Sequence, residues 1–99
     1  MTVALATDLC PGGWVESMFL VMQLAGRLHG FSVEAAVLAA TVGGARALAR
    51  TDRGQIAPGQ LADLQLWDAP TVADVIYRLG YNPVRAVLKR GRVVWSQPI

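Results

Sequence analysis

The sequence predicts an α+β fold: a short apolar strand and two helices, followed by a small antiparallel β-sheet. The run Val3-Ala4-Leu5-Ala6 delivers Thr7-Asp8 into a turn at Pro11-Gly12-Gly13. Apolar residues then recur at helical spacing from Glu16 to about Ala49,. From Gly54 the pattern changes to short alternating runs separated by turn residues,. A strand ending on a carboxylate, then a turn, then a helix is how a barrel of alternating strands and helices presents a catalytic group. One such unit stands in this chain, so the expectation is the last strand and helices of such a barrel. That partial fold would be completed by oligomerisation. Residues 1–53 form the barrel-derived part and residues 54–99 a β-sheet segment.

The composition agrees with a fold that needs cover. Of 99 residues, 54% are hydrophobic and 16% charged, whereas about 25% charged is usual. A small chain has proportionally more surface, so a low charge content implies apolar surface destined for another chain. The net charge is +2. The one basic cluster, Lys89-Arg90-Gly91-Arg92, reads as a hairpin turn and lacks the interleaved aromatics of a nucleic-acid site. Cys10 is the single cysteine, which excludes an internal disulfide and fits a reducing compartment. No apolar run reaches the roughly 18 residues of a membrane span. No basic segment precedes the N-terminal apolar run, which argues against a signal peptide. A cytoplasmic location, with neither nucleic acid nor membrane as partner, is expected.

The elements follow in order. Residues 3–7 form the first strand. A helix runs from about Glu16 to His29, with Met18, Val21, Met22, Ala25 and Leu28 on one face and Phe19, Leu20 and Leu24 on another,. Only Glu16, Gln23 and Arg27 make a polar stripe, so the wet face is narrow. Gly30 ends this helix. Ser32 caps a second, alanine-rich helix that runs to about Ala49. Gly43-Gly44 falls inside it: either the helix breaks there, or another backbone passes too close for a side chain. Residues 55–57 make a short strand and Pro58-Gly59 a turn. Residues 61–67 alternate as a strand, with Asp63 and Gln65 opposite Leu64 and Leu66. Residues 73–79 fit a short helix or irregular structure. Residues 84–89 and 92–95 pair as a hairpin around Arg90-Gly91.

Four blocks resemble the C-terminal quarter of the amidohydrolase superfamily, in its imidazolonepropionase branch. Ala6-Thr7-Asp8-Leu9-Cys10-Pro11-Gly12 is similar to that branch's A-[TS]-D-x-N-P-G, and residues 16–25 to the helix after it. Gly54 to Leu64 resembles the superfamily's G-x-I-x-x-G-x-x-A-D-L. Tyr77-Arg78-Leu79-Gly80-Tyr81-Asn82, with residues 84–87 and the Gly91-Arg92-Val93 turn, resembles the last segment. The resemblance implies a TIM-barrel hydrolase that opens a C–N bond of a cyclic amide in histidine degradation. It implies a divalent metal, zinc or iron, in the complete enzyme.

Asp8 is the candidate catalytic residue and metal ligand. A metal brings the pKa of bound water toward about 7, and a carboxylate beside it accepts the proton. The structural alternative is an Asx-turn onto the Pro-Gly backbone. A catalytic zinc usually takes three protein ligands, and His29, the single histidine, lies at the far end of a helix from Asp8. This chain alone is therefore expected to bind no metal. By resemblance, Cys10, Gly12 and Gly13 line the substrate. Cys10 stands where the family has Asn, which removes an amide, and Gly13 where Thr or Ser is common. A reactive role for Cys10 lacks a visible base. Asp63 and Asn82 read as structural, in a strand-end network and a pre-proline turn. Trp14, Trp67 and Trp95 read as packing residues, with Trp95 at an interface.

The residues support two readings of function. One is a fragment of a metal-dependent cyclic amidohydrolase, inactive alone and partnered by a missing N-terminal enzyme part. The other is a repurposed structural or binding module that forms a homo-oligomer.

Overall fold

The computed structural model describes residues 1–98. Helix starts are set by side-chain caps. The Ser17 hydroxyl accepts from the Leu20 N–H (3.3 Å) at the head of α1 (Met18–Leu28), and Ser32 accepts from Ala35 (3.1 Å) at α2 (Val33–Ala40). These contacts satisfy N–H groups that have no partner inside a helix. Gly30, at φ 68°, follows the end of α1. The alanine-rich segment is two helices rather than one. It breaks at Thr41 (φ −117°, ψ −86°), and α3 (Val42–Ala47) follows. Then come β1 (Leu64–Trp67), α4 (Val72–Tyr77), β2 (Val84–Lys89) and β3 (Arg92–Ser96). Residues 73–79, open between helix and irregular structure in the sequence, resolve as α4, whose cap is the Thr71 hydroxyl accepting from Asp74 N–H (3.2 Å).

The three strands form one antiparallel sheet in the order β1-β2-β3. The turn between β2 and β3 places Arg90 at φ 51° and Gly91 at φ 78°, the left-handed pair that matches the twist of a tight hairpin. The fold is thus α+β with a small antiparallel sheet, as the sequence implies.

The first strand does not form. Residues 3–7 pair with no strand of the sheet, and backbone groups need partners wherever they find them,. The Leu5 N–H instead donates to the Ala39 carbonyl (3.2 Å), laying the segment across the α2–α3 break. Gly43 makes this possible: a β-carbon there would overlap the Val3 carbonyl oxygen. Of the two explanations for Gly43-Gly44, the close backbone is the one realised, with the helix break two residues earlier. Residues 55–57 also form no strand, although Gly59 does take the positive φ (82°) of a turn.

The core is Phe19, Met22, Ala36, Val75 and Ile76. Phe19 meets Trp67 edge to face at 5.4 Å, tying α1 to β1. The supposed wet stripe of α1 proves to be its clamp. Gln23 is fully buried. Its amide donates to the Val75 and Tyr81 carbonyls (2.9 and 3.0 Å), and its oxygen accepts from the Gly80 N–H (2.9 Å). One turn on, Arg27 donates to the Tyr77 carbonyl (2.6 Å). Leu24 and Leu28 take the exposed side instead.

Gln23→Leu strands three backbone groups, each costing about 1–3 kcal/mol when buried unpaired. Urea unfolding is expected to show a loss of roughly 2–4 kcal/mol. Gly43→Ala is expected to free the N-terminal segment, read as faster hydrogen exchange at the Leu5 amide with α1 and α4 unchanged.

Candidate active site

The carboxylate turn is built by backbone. The Cys10 N–H donates to the Gly13 carbonyl (3.1 Å) and the Gly13 N–H returns to the Cys10 carbonyl (3.0 Å). This closes a tight loop over Pro11-Gly12. Cys10 and Gly13, not an Asp8 side chain, therefore close the turn. Asp8 precedes it at φ 53°, a left-handed conformation that Asp tolerates better than most residues. Its side chain lies on the exposed surface, as do Cys10 and Gly12. A β-carbon on Gly12 would meet nothing within 4 Å, and one on Gly13 would lie 3.8 Å from Cys10 Sγ. The turn therefore has open space in front of it, and crowding does not dictate either glycine.

Beyond the turn, Trp14 Nε1 donates to Glu16 Oε1 (2.6 Å), and Ser17 caps α1 immediately after. The turn is thus fixed to the head of α1. His29 is at the other end, as the C-cap, with its N–H on the Ala25 carbonyl (3.1 Å). Eleven residues of helix lie between, which at about 1.5 Å per residue is roughly 16 Å of rise. Asp8, Cys10, Gly12 and Gly13 are brought together, while His29 stays apart. Among the described residues, no group of three His, Cys, Asp or Glu side chains could hold a metal ion. The metal implied by the resemblance does not fit the donors of this chain alone.

Asp63 and Asn82 are structural. Asp63 accepts from Lys89 Nζ (2.8 Å) and the Arg90 N–H (2.9 Å), with Arg53 at 3.7 Å. This pins the hairpin turn to the approach to β1. Asn82 Oδ1 accepts from the Val84 N–H (3.1 Å) across Pro83. Sequence reasoning missed the partners of Gln23 and Arg27, which were read as facing water. Their i, i+4 spacing was the available signal, since two polar groups one turn apart on an apolar helix can clamp one neighbouring chain end.

A sequence profile of the amidohydrolase family matches residues 1–95. The chain belongs to the amidohydrolase family. Among curated relatives, the imidazolonepropionase of Salinispora arenicola is 49% identical over 92 residues, covering 92% of this chain and 24% of that protein. That of Mycolicibacterium smegmatis is 45% identical, covering 97% and 24%. That of Pyrobaculum arsenaticum is 40% identical, covering 90% and 22%. This amidohydrolase chain therefore spans less than a quarter of the length of the curated relatives it matches. No helix among its described residues is long and apolar enough to cross a membrane.

The ion pairs beside the sheet fix a pH dependence. Hydrogen bonds from Arg53 first, then Arg50, take the Asp52 carboxyl from 3.8 to about 2. Lys89, then the Arg90 N–H, lower Asp63 as well. A carboxyl depressed in the folded state protonates first in the unfolded chain. Its contribution is complete above the unfolded value of about 4 and lost as pH falls below it. The urea midpoint is expected to drop between about pH 4 and pH 2, and to drop less in Asp52→Asn/Asp63→Asn.

Proposed function

We propose that this amidohydrolase chain is one part of a cyclic-amide hydrolase of the imidazolonepropionase kind, contributing Asp8 and the turn after it to a site completed by other residues. The observation that carries the reading is the match to relatives bearing that name across about nine-tenths of the chain. The geometry of the turn agrees with it: an exposed carboxylate stands before a loop whose face is open.

Hydrolysis of a C–N bond adds the oxygen of water to carbon and a proton to the departing nitrogen. An ionised carboxylate beside the attacking water accepts its proton and can pass it to nitrogen. Asp8 is placed for that work, and Cys10, Gly12 and Gly13 for the substrate side. A cysteine in place of the asparagine that the resemblance implies offers a weaker hydrogen-bonding group, so a substrate group facing Cys10 is held more weakly. Any further metal ligands come from outside this chain, with Asp8 as one ligand among several.

A second reading, a small homo-oligomeric module without catalysis, is favoured by the amount of apolar surface. Leu48, Ile56, Val93 and Val94 are all more than half exposed.

The test is to put residues 1–95 in place of the matching segment of the Salinispora arenicola enzyme and assay ring opening. Activity is expected, with Asp8→Asn lowering kcat at least about 100-fold, the lower range for a lost general base. A folded but inactive chimera would defeat the hydrolase reading. For the chain alone, light scattering with and without zinc addresses the second reading. A metal-indifferent oligomer would support the module, and a monomer would sink it.

A further inference from the structure

All three tryptophans read as packing residues in the sequence, and Trp67 keeps that role against Phe19. Trp14 does not: it is 73% exposed, against 49% for Trp95. Single apolar side chains on a surface are ordinary, but two features set Trp14 apart. It is held in place. The Gly13 carbonyl accepts from both the Cys10 N–H and the Val15 N–H (each 3.1 Å), so the backbone turns tightly around Trp14, and the indole N–H is fixed on Glu16 Oε1 (2.6 Å). It also stands at the candidate site. The Cys10–Gly13 pair ties together two arms of chain: Asp8 is on the arm that enters the turn, and Trp14 on the arm that leaves it. Between them the turn is open, with nothing within 4 Å of a β-carbon on Gly12. The indole has one donor, and Glu16 takes it. What Trp14 offers to a molecule at this turn is the face of its ring.

We propose that Trp14 is a substrate-binding residue that stacks on the ring of the substrate, and that it selects flat, unsaturated nitrogen rings over puckered, saturated ones. The inference rests on the reading of this chain as part of a cyclic-amide hydrolase, and it names the kind of ring. Aromatic faces attract one another in offset or edge-to-face arrangements, and that attraction adds to simple burial. A puckered ring cannot lie against the indole in the same way. An indole already tethered before the substrate arrives also loses little rotamer freedom on binding. The tether therefore serves recognition: Glu16 holds the ring out in water, where a free tryptophan would fold onto the nearest apolar surface.

The test has two arms. In the first, this chain is titrated with millimolar imidazolepropionate, a flat ring that is not hydrolysed, and followed by NMR. The Trp14 indole N–H and the amides of Cys10, Gly12 and Gly13 are expected to shift, while the Trp95 indole, an exposed control on β3, does not. Cyclopentanepropionate, with a saturated ring, should shift them less. Trp14→Ala should abolish the shifts at the loop amides, and Trp14→Phe should keep them. In the second arm, the chimera described above is assayed for ring opening. Trp14→Ala is expected to raise KM about five- to tenfold with kcat held, the size of a lost aromatic stack. Trp14→Phe should stay within about twofold, since it keeps an aromatic face. The unfolding midpoint should be the same in all three forms. Equal shifts at Trp14 and Trp95, no shift at either, or an active chimera whose KM ignores Trp14→Ala would overturn the proposal. So would a midpoint that falls with Trp14→Ala, which would make the ring a packing residue. Loop-specific shifts with a folded but inactive chimera would sink the hydrolase reading and leave the stack standing.

Discussion

One buried amide holds this fold together. Gln23 sits in the middle of an apolar helix with no access to water, and each of its hydrogen bonds goes to backbone more than fifty residues away in sequence. A polar group in such a place is tolerated only when its hydrogen-bonding capacity is met. Meeting it fixes where the end of α4 and the loop to Tyr81 must be. That loop is held from its other side by the Tyr81 hydroxyl on the Asp68 carbonyl and by Arg78 over the Tyr81 ring (4.2 Å). Asp68 in turn leads out of β1, which reaches back to α1 through Trp67 and Phe19. Helix, loop and sheet are therefore a closed mechanical circuit with Gln23 as its polar link.

Much of this was legible in residues. Ser32 marks its helix start, and Arg90-Gly91 marks the hairpin, because capping and turn chemistry are local and do not wait for the rest of the chain. The family was legible too, in the Asp8 turn and the Gly54–Leu64 block. What depends on a partner was not. Residues 3–7 have the composition of a strand, but a strand is a relation between two segments, and here the nearest offer is a carbonyl at the end of α2. The place of Gln23 on α1 was hidden for a similar reason: a glutamine looks wet until a chain end arrives that needs its donors.

The same dependence governs the candidate site. The turn from Cys10 to Gly13 closes itself through two backbone bonds, so its shape belongs to the sequence. The position of Asp8 relative to any other ligand does not. His29 stands at the opposite end of α1, which is rigid on that scale, and no local adjustment joins the two. The chain thus carries the shape of one candidate loop, while the chemistry of such a loop depends on its surroundings.

The sheet has a further property in its register. Leu66 and Trp67 face Ala86 and Val84, so Arg85 has no opposite number. Val87 and Leu88 face Trp95 and Val93, so Val94 has none either. Each strand junction of this three-stranded sheet therefore carries a bulge, which interrupts the even spacing of backbone donors and acceptors and sharpens the local twist. Flat, evenly spaced edges are what let strands of separate molecules zip together into fibres. With Val93, Val94 and Trp95 open to water, an unbroken ladder would make β3 a template for uncontrolled stacking. The irregularity at Val94 lets the protein display an apolar strand while denying its neighbours a regular edge to copy.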